Sequence, residues 1–209
     1  MVINKSLVGI IEEAKKNNYE ILGSRNGVNG IVNSRLVELT KIDKKKLYLV
    51  ENSPGAALGS TRDKPDENYC KKILKILLKE KINTFFYIGG NDSSDSLRII
   101  SETNTDMQCI HVPKTIDNDL VLNDHTPGFG SAAKYVASVF AGINFDINSL
   151  PGVYLGVIMG RHAGFLTASS SLLKRNANDG PHLIYLPESN FSLDSFLSNV
   201  HDVFIKKKK

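Results

Sequence analysis

Cysteine is scarce in this chain. Cys70 and Cys109 are the two present in 209 residues, and they show neither metal-ligand spacing nor a disulfide pattern. That excludes a disulfide scaffold and a cysteine-built zinc site, and it points to a reducing compartment with both thiols packed as small hydrophobes. No apolar run reaches membrane-spanning length, and Glu12 and Glu13 interrupt the opening stretch MVINKSLVGIIEEAKK, which therefore lacks signal-peptide organisation. A cytoplasmic protein without membrane contact is the expectation. An excess of one charge is missing as well. The formal net charge is +4, but residues 206–209 are four lysines, and without them 22 basic residues face 22 acidic ones. The body is neutral, no aromatic-basic interleaving supports a nucleic-acid surface, and the tail reads as a solvated end. Internal repeats are absent, and so is low complexity outside the tail.

What is present is ordinary globular composition, 41% hydrophobic and 23% charged, enough for one well-buried domain or at most two small ones. Apolar spacing predicts helices over residues 4–17, 66–80, 94–103, 129–147, 163–174 and 193–204. Short apolar runs predict strands over 20–22, 47–51, 84–88, 107–112, 153–159 and 182–186. Alternation of this kind predicts an α/β fold, a parallel sheet covered by helices on both faces, because parallel strands need helical crossovers. In such sheets ligands sit beyond the carboxyl ends of the strands. The loops after Ile88, Val112 and Met159 are then expected to gather on one edge.

Two of those loops are acidic. "FFYIGGNDSSDS" ends a strand at Gly89 and Gly90, where the absence of side chains lets a phosphoryl group approach the backbone and the next helix start can donate amides. Yet Asp92, Asp95, Asp117 and Asp119, the last two from "HVPKTIDNDL", would repel a bare phosphate. They make sense with Mg²⁺ between, since that ion takes one or two carboxylates plus phosphate oxygens. A further carboxylate can accept the proton of an attacking hydroxyl. Taken singly, each loop also has a structural reading: Asp92 or Ser93 as a helix cap with Asp95 favoured by the helix dipole, and "TIDND" as an Asx turn.

Together the loops are more specific. The blocks ILGSRNG (residues 21–27), LGSTR (58–62), IGGNDS (88–93), PKTIDND (113–119), TPGFGSAAKY (126–135), MGRHAGFLTA (159–168) and LPE (186–188) resemble the phosphofructokinase family, in family order and over nearly the whole chain. The likeness is strongest to its pyrophosphate-dependent branch. The resemblance implies a phosphofructokinase-like fold, mainly its donor-binding half, and Mg²⁺-dependent phosphoryl transfer from pyrophosphate to the 1-hydroxyl of fructose 6-phosphate. In this reading Asp117 is the base, with Lys114 and Arg161 assisting catalysis. Thr115, Asp119, Met159, Gly160, Arg161 and Glu188 bind the sugar phosphate. Arg62, Gly89, Gly90, Asp92, Ser93 and Lys114 hold the donor, and Asn91 and Asp119 serve the metal. His162 is left out as a packed histidine.

Asp92 and Lys114 stand where ATP-using relatives commonly have glycine, so the resemblance implies pyrophosphate in preference to ATP. A lysine can bind pyrophosphate as a point charge. Asn91 departs from the family pattern, which often has a metal-binding aspartate there; it offers an oxygen without charge. The family's opening strand with its GG-x-x-PG loop, and the second half beyond LPE, have no counterpart in this sequence. The expected organisation is accordingly one phosphofructokinase-like domain over 1–204, incomplete at both ends, and a basic tail over 205–209. A homo-oligomer is implied. The alternatives are an ATP-dependent 6-phosphofructokinase, or an inactive fragment or partner-binding subunit of the family. An NAD or lipid kinase is disfavoured by PKTIDND and MGRHAGF.

Overall fold

A computed structural model describes residues 2–207, without the Lys207 side chain, and it divides at residue 114 into two compact units. Lys208 and Lys209 of the expected tail lie outside the described residues.

The first unit contains α1 (Val2–Lys16), β1 (Leu22–Ser24), α2 (Val28–Val32), β2 (Leu36–Glu38), α3 (Lys44–Asn52), α4 (Glu67–Lys79), β3 (Thr84–Gly89), α5 (Asn91–Thr103) and β4 (Gln108–Pro113). β3 and β4 form a parallel pair in register from Thr84↔Gln108 to Gly89↔Pro113, and α5 is the crossover that the parallel direction requires. β1 and β2 form a separate antiparallel pair, with Gly23 opposite Val37. The α/β class is as expected.

Helix α4 shows why this unit holds together. Asp66 caps it by accepting a hydrogen bond from Tyr69 N at 2.7 Å, and Cys70, Ile73, Leu74 and Leu77 lie on its buried face. They join Val28, Ile31, Ile100 and Met107 in the main core, against which Phe85, Tyr87 and Cys109 pack from one face of the parallel pair. Phe86 and its partner Ile110 lie on the other face and remain partly exposed. A second cluster joins Val8 and Ile11 of α1 to Leu39 and Leu47. Asn4 is fully buried beside it. Its amide donates to Ser53 O and Ser53 Oγ, both at 3.1 Å, and its oxygen accepts Ala57 N at 2.8 Å.

The strand expected over 47–51 is a helix, α3. Asp43 caps it, accepting from Lys46 N at 2.7 Å, and Leu47 is buried while Tyr48 and Leu49 are exposed. A short apolar run looks the same in a buried strand and in a helix; the cap decides here.

The second unit contains α6 (Phe129–Ser149), α7 (Phe165–Ser169) and α8 (Leu193–Lys207). α7 packs on α6 with an edge-on Phe129–Phe165 contact at 6.0 Å, and Leu166 of α7 is buried. Asn144 holds the later loop against α6, accepting from Gly180 N at 2.6 Å and donating to Gly180 O at 3.2 Å. The helix expected over 163–174 is much shorter. Ser169, Ser170 and Ser171 donate back to the carbonyls of Leu166, Thr167 and Ala168, and such local bonds compete with helix continuation. Neither 153–159 nor 182–186 forms a ladder among the described residues. Their apolar content resembled buried strand, but Leu155 and Val157 stand exposed, and a strand exists only where a neighbour takes its backbone groups.

Candidate active site

The residues that the resemblance assigns to the donor, Arg62 apart, cluster at the carboxyl end of the parallel pair, where the loops after Ile88 and Val112 were expected. Gly89 O accepts Lys114 N at 2.8 Å and lies 3.0 Å from His111 Nε2, which must donate because a carbonyl only accepts. His111 was not among the expected residues, yet it fixes the turn. The signal available was its position in HVPK, just before the predicted loop.

Gly90, not Asp92 or Ser93, is the N-cap of α5, and no side chain caps the helix. The helix therefore starts three residues earlier than expected, at Asn91, because Ser93 N and Ser94 N already reach Gly90 O at 3.1 and 3.2 Å. Asp92 falls in the first turn, where the helix dipole favours its charge, and Asp95 is moved a turn further in. Ser93 packs so tightly on Gly89 that a Cβ at Gly89 would overlap its side chain. Asp92 Oδ2 meets Lys64 Nζ at 3.2 Å.

Lys64 belongs to a loop that also carries Arg62, itself exposed. Between them Asp63 is anchored: its Oδ2 accepts Tyr69 OH at 2.7 Å and Asn29 Nδ2 at 3.0 Å, and its N–H donates to Thr61 Oγ1 at 3.1 Å. Hydrogen bonding from the Tyr69 hydroxyl first, then from Asn29 and Thr61, holds the Asp63 carboxyl below its ordinary range. Burial, with the Asp63 bond second, pushes the Tyr69 phenol up to about 12. At neutral pH the pair is thus carboxylate and phenol, the forms that make the bond. Asp63's contribution is present above the ordinary carboxylate pKa and is lost as pH falls through its lowered value. Tyr69's is complete below its ordinary 10.0 and lost as pH rises through about 12.

In the second unit, one loop presents the aspartates of TIDND. Thr115 Oγ1 accepts Asp117 N at 3.1 Å and donates to Asp119 Oδ1 at 3.2 Å. Asn118 lies between them in the left-handed conformation, φ 59°, and is buried. Its oxygen accepts Thr126 N at 2.8 Å and its amide donates to Asp124 O at 3.2 Å, while Thr126 Oγ1 donates to Thr115 O at 2.8 Å. The turn in "TIDND" is made by the Thr115 hydroxyl, where an Asx turn was expected, and Asn118 and Thr126 close the loop. Asp117 Oδ1 is shielded from solvent.

A separate turn carries Gly160 and Arg161. Gly160 has φ 120°, and a Cβ there would overlap the Ala163 carbonyl, so only glycine fits. Met159, Arg161 and His162 are exposed; for His162 this corrects the packed position expected. Glu188 is joined to this turn by accepting Gly164 N at 2.7 Å. The structure thus brings Gly89, Gly90, Asn91, Asp92, Ser93 and Lys114 to one turn, Thr115, Asp117 and Asp119 to one loop, and Glu188 to the segment after Arg161.

Among the described residues no group of three or more His, Cys, Asp or Glu side chains could hold a metal ion by itself. Mg²⁺ needs no such cage, since it commonly takes one or two carboxylates and completes its shell with phosphate and water oxygens. Asp119 and Asn91 suit that donor chemistry. No described helix is long and apolar enough to cross a membrane.

A parallel pair ending in a glycine turn at a helix start, with an aspartate loop following the second strand, places the chain among the α/β proteins. The chain belongs to the phosphofructokinase family, whose family model matches residues 1–209. It is 55% identical over 209 residues to the pyrophosphate–fructose 6-phosphate 1-phosphotransferase of Rhodospirillum rubrum, covering 97% of this chain and 52% of that protein. It is 30% identical over 209 residues to an ATP-dependent 6-phosphofructokinase of Actinobacillus pleuropneumoniae, covering 99% of this chain and 62% of that protein. The crystal structure of a pyrophosphate-dependent phosphofructokinase from Marinobacter aquaeolei superposes with a TM-score of 0.81 at 33% identity, covering 99% of this chain and 54% of that one. The chain spans about half the length of the pyrophosphate-using relatives it matches.

Proposed function

We propose that this chain carries the donor and acceptor residues for Mg²⁺-dependent phosphoryl transfer from pyrophosphate to the 1-hydroxyl of fructose 6-phosphate, giving fructose 1,6-bisphosphate. The observation that carries the reading is Asp92 in the first turn of α5, directly after a glycine turn whose carbonyl is tied to Lys114 N. Gly90 leaves the helix start free of a side chain for a phosphoryl group, Gly89 accommodates Ser93 beside it, and Lys114 and Arg62 supply positive charge for the phosphoryl group. Asp117 takes the proton of the 1-hydroxyl as the oxygen attacks phosphorus. Arg161 offsets charge on the transferring group. Thr115 and Asp119 position the sugar, Met159 and Gly160 form a surface for it, and Glu188 accepts bonds from its hydroxyls. Asp119 and Asn91 are the residues that would each offer an oxygen to Mg²⁺, which would supply neutralising charge on the phosphates. A domain organisation matching one phosphofructokinase unit, a homo-oligomer and a cytoplasmic setting belong to the same proposal; both cysteines are free thiols, which suits a reducing compartment.

Asp92 also discriminates against ATP, because its carboxylate adds bulk and like charge where a nucleotide's α-phosphate would pass. Asp92→Gly is expected to raise the ATP-to-pyrophosphate ratio of kcat/KM by about tenfold or more, a change equivalent to ~1.4 kcal/mol. An unchanged ratio in the coupled assay with fructose 6-phosphate would remove Asp92 from the donor site. Exposure of Leu155 and Val157 favours a second reading, in which unit two is a face that docks on a partner polypeptide without turnover.

A further inference from the structure

We propose that Lys64 is a donor-contacting residue and that its ion pair with Asp92 sets the affinity for pyrophosphate; this rests on the pyrophosphate reading above. Lys64 lies outside the motif LGSTR and has no place among the residues that the resemblance supplies. Its ammonium nonetheless meets Asp92 Oδ2 at 3.2 Å. The side chains are 72% and 66% exposed, so the pair adds little to fold stability and both groups remain accessible to a ligand.

The backbone beneath Lys64 is held from several sides. Asn26 N donates to Leu58 O at 2.7 Å at the start of the loop. Further on, Tyr69 and Asn29 hold the Asp63 carboxylate. Three consecutive residues therefore divide their roles: Asp63 is the anchor, and Arg62 and Lys64 flank it with exposed cationic side chains. A second link supports the arrangement. Tyr87 of β3, half-buried against the core, is hydrogen bonded to Ser93 and lies within electrostatic reach of both Asp63 and Asp92. The anchored loop and the first turn of α5 are thus parts of one polar cluster around the glycine turn.

The electrostatic consequence is specific. Asp92 suits the helix start of the free protein but opposes an incoming pyrophosphate, which is a polyanion. Lys64 cancels that carboxylate and can share its three N–H donors between Asp92 and a donor oxygen. It also keeps the Asp92 carboxylate at the helix start, where it obstructs a nucleotide. Removing Lys64 unmasks Asp92 against pyrophosphate. Removing both charges relieves much of that repulsion, so the two substitutions are coupled.

The test compares wild type, Lys64→Met, Lys64→Arg, Asp92→Asn and the Lys64→Met/Asp92→Asn double variant. Readouts are KM for pyrophosphate and for fructose 6-phosphate, together with pyrophosphate affinity by calorimetry without the sugar. Lys64→Met is expected to raise KM and Kd for pyrophosphate about tenfold with little change in the fructose 6-phosphate KM. Lys64→Arg should keep most of the affinity, Asp92→Asn alone should change it little, and the double variant should recover part of the loss, the remainder being the direct contact of Lys64 with the donor. A Lys64→Met protein that binds pyrophosphate like wild type, or single effects that simply multiply in the double variant, would overturn the proposal while leaving the donor reading intact. Failure of the wild-type protein to bind pyrophosphate at all would instead overturn the donor reading, and this proposal with it.

Discussion

Replacing Asp117 with alanine is expected to lower kcat for pyrophosphate-driven transfer by about 10²- to 10⁴-fold, the range that a positioned general base contributes. KM for fructose 6-phosphate should move far less, because the proposed reading leaves Thr115, Asp119 and Glu188 to hold the sugar. The loop itself should survive. Its closure uses the Thr115 hydroxyl, the Asn118 side chain, Thr126 and the backbone N–H of Asp117, all of which an alanine at position 117 retains. Asp117→Asn preserves shape while removing the base, so it should lose a comparable factor. Steady-state kinetics on both variants, with circular dichroism to confirm folding, decides the matter. Turnover within a few-fold of wild type in either variant would remove Asp117 from the mechanism.

Ile73→Ala is expected to destabilise the first unit by about 2–5 kcal/mol. Ile73 is completely buried, at the meeting point of α4 with Ile31, Ile100 and Met107, and truncation leaves a cavity that surrounding side chains fill only in part. The cost should reach the site as well, since Phe85 and Tyr87 of β3 pack on this cluster and β3 delivers Gly89 to its turn. Urea unfolding followed by far-ultraviolet circular dichroism reads the change as a lower midpoint at an unchanged m-value. A midpoint indistinguishable from wild type would show that this cluster is not what holds the unit together.

The parts of the fold that the sequence made legible are those governed by local pattern. Cys70, Ile73, Leu74 and Leu77 repeat at helical spacing behind a capping aspartate, and α4 starts within one residue of its expected position. The apolar runs of β3 and β4 end in Gly89 and Pro113, and each strand extends one residue past its expected end. Where the outcome depends on partners distant in sequence, local pattern was insufficient. "LYLV" became the middle of α3 through the Asp43 cap and a single buried leucine. "VYLGVIM" has the composition of a strand, but no neighbouring strand takes up its backbone among the described residues.

The candidate site divides in the same way. Glycine turns and aspartate loops are visible as motifs because one short segment supplies both the backbone shape and the chemistry. The residues that hold them in place come from elsewhere. His111 reaches Gly89 O across the parallel pair, and Tyr69 and Asn29 reach Asp63 from two different helices. Thr126 closes the TIDND loop from its far end. None of these contacts leaves a spacing pattern, so composition and periodicity could not indicate them. Glu188 is an intermediate case: LPE marked it for sugar binding, and the structure adds a bond to Gly164 N that ties it to the segment following Arg161.

The most direct measurement is a coupled assay of the purified protein with fructose 6-phosphate and Mg²⁺, run in parallel with pyrophosphate and with ATP. Fructose 1,6-bisphosphate is expected to form with pyrophosphate, with little or none from ATP, because the proposed reading puts Asp92 where the nucleotide would need space. Turnover with ATP alone, or no turnover with either donor from folded protein, would contradict it.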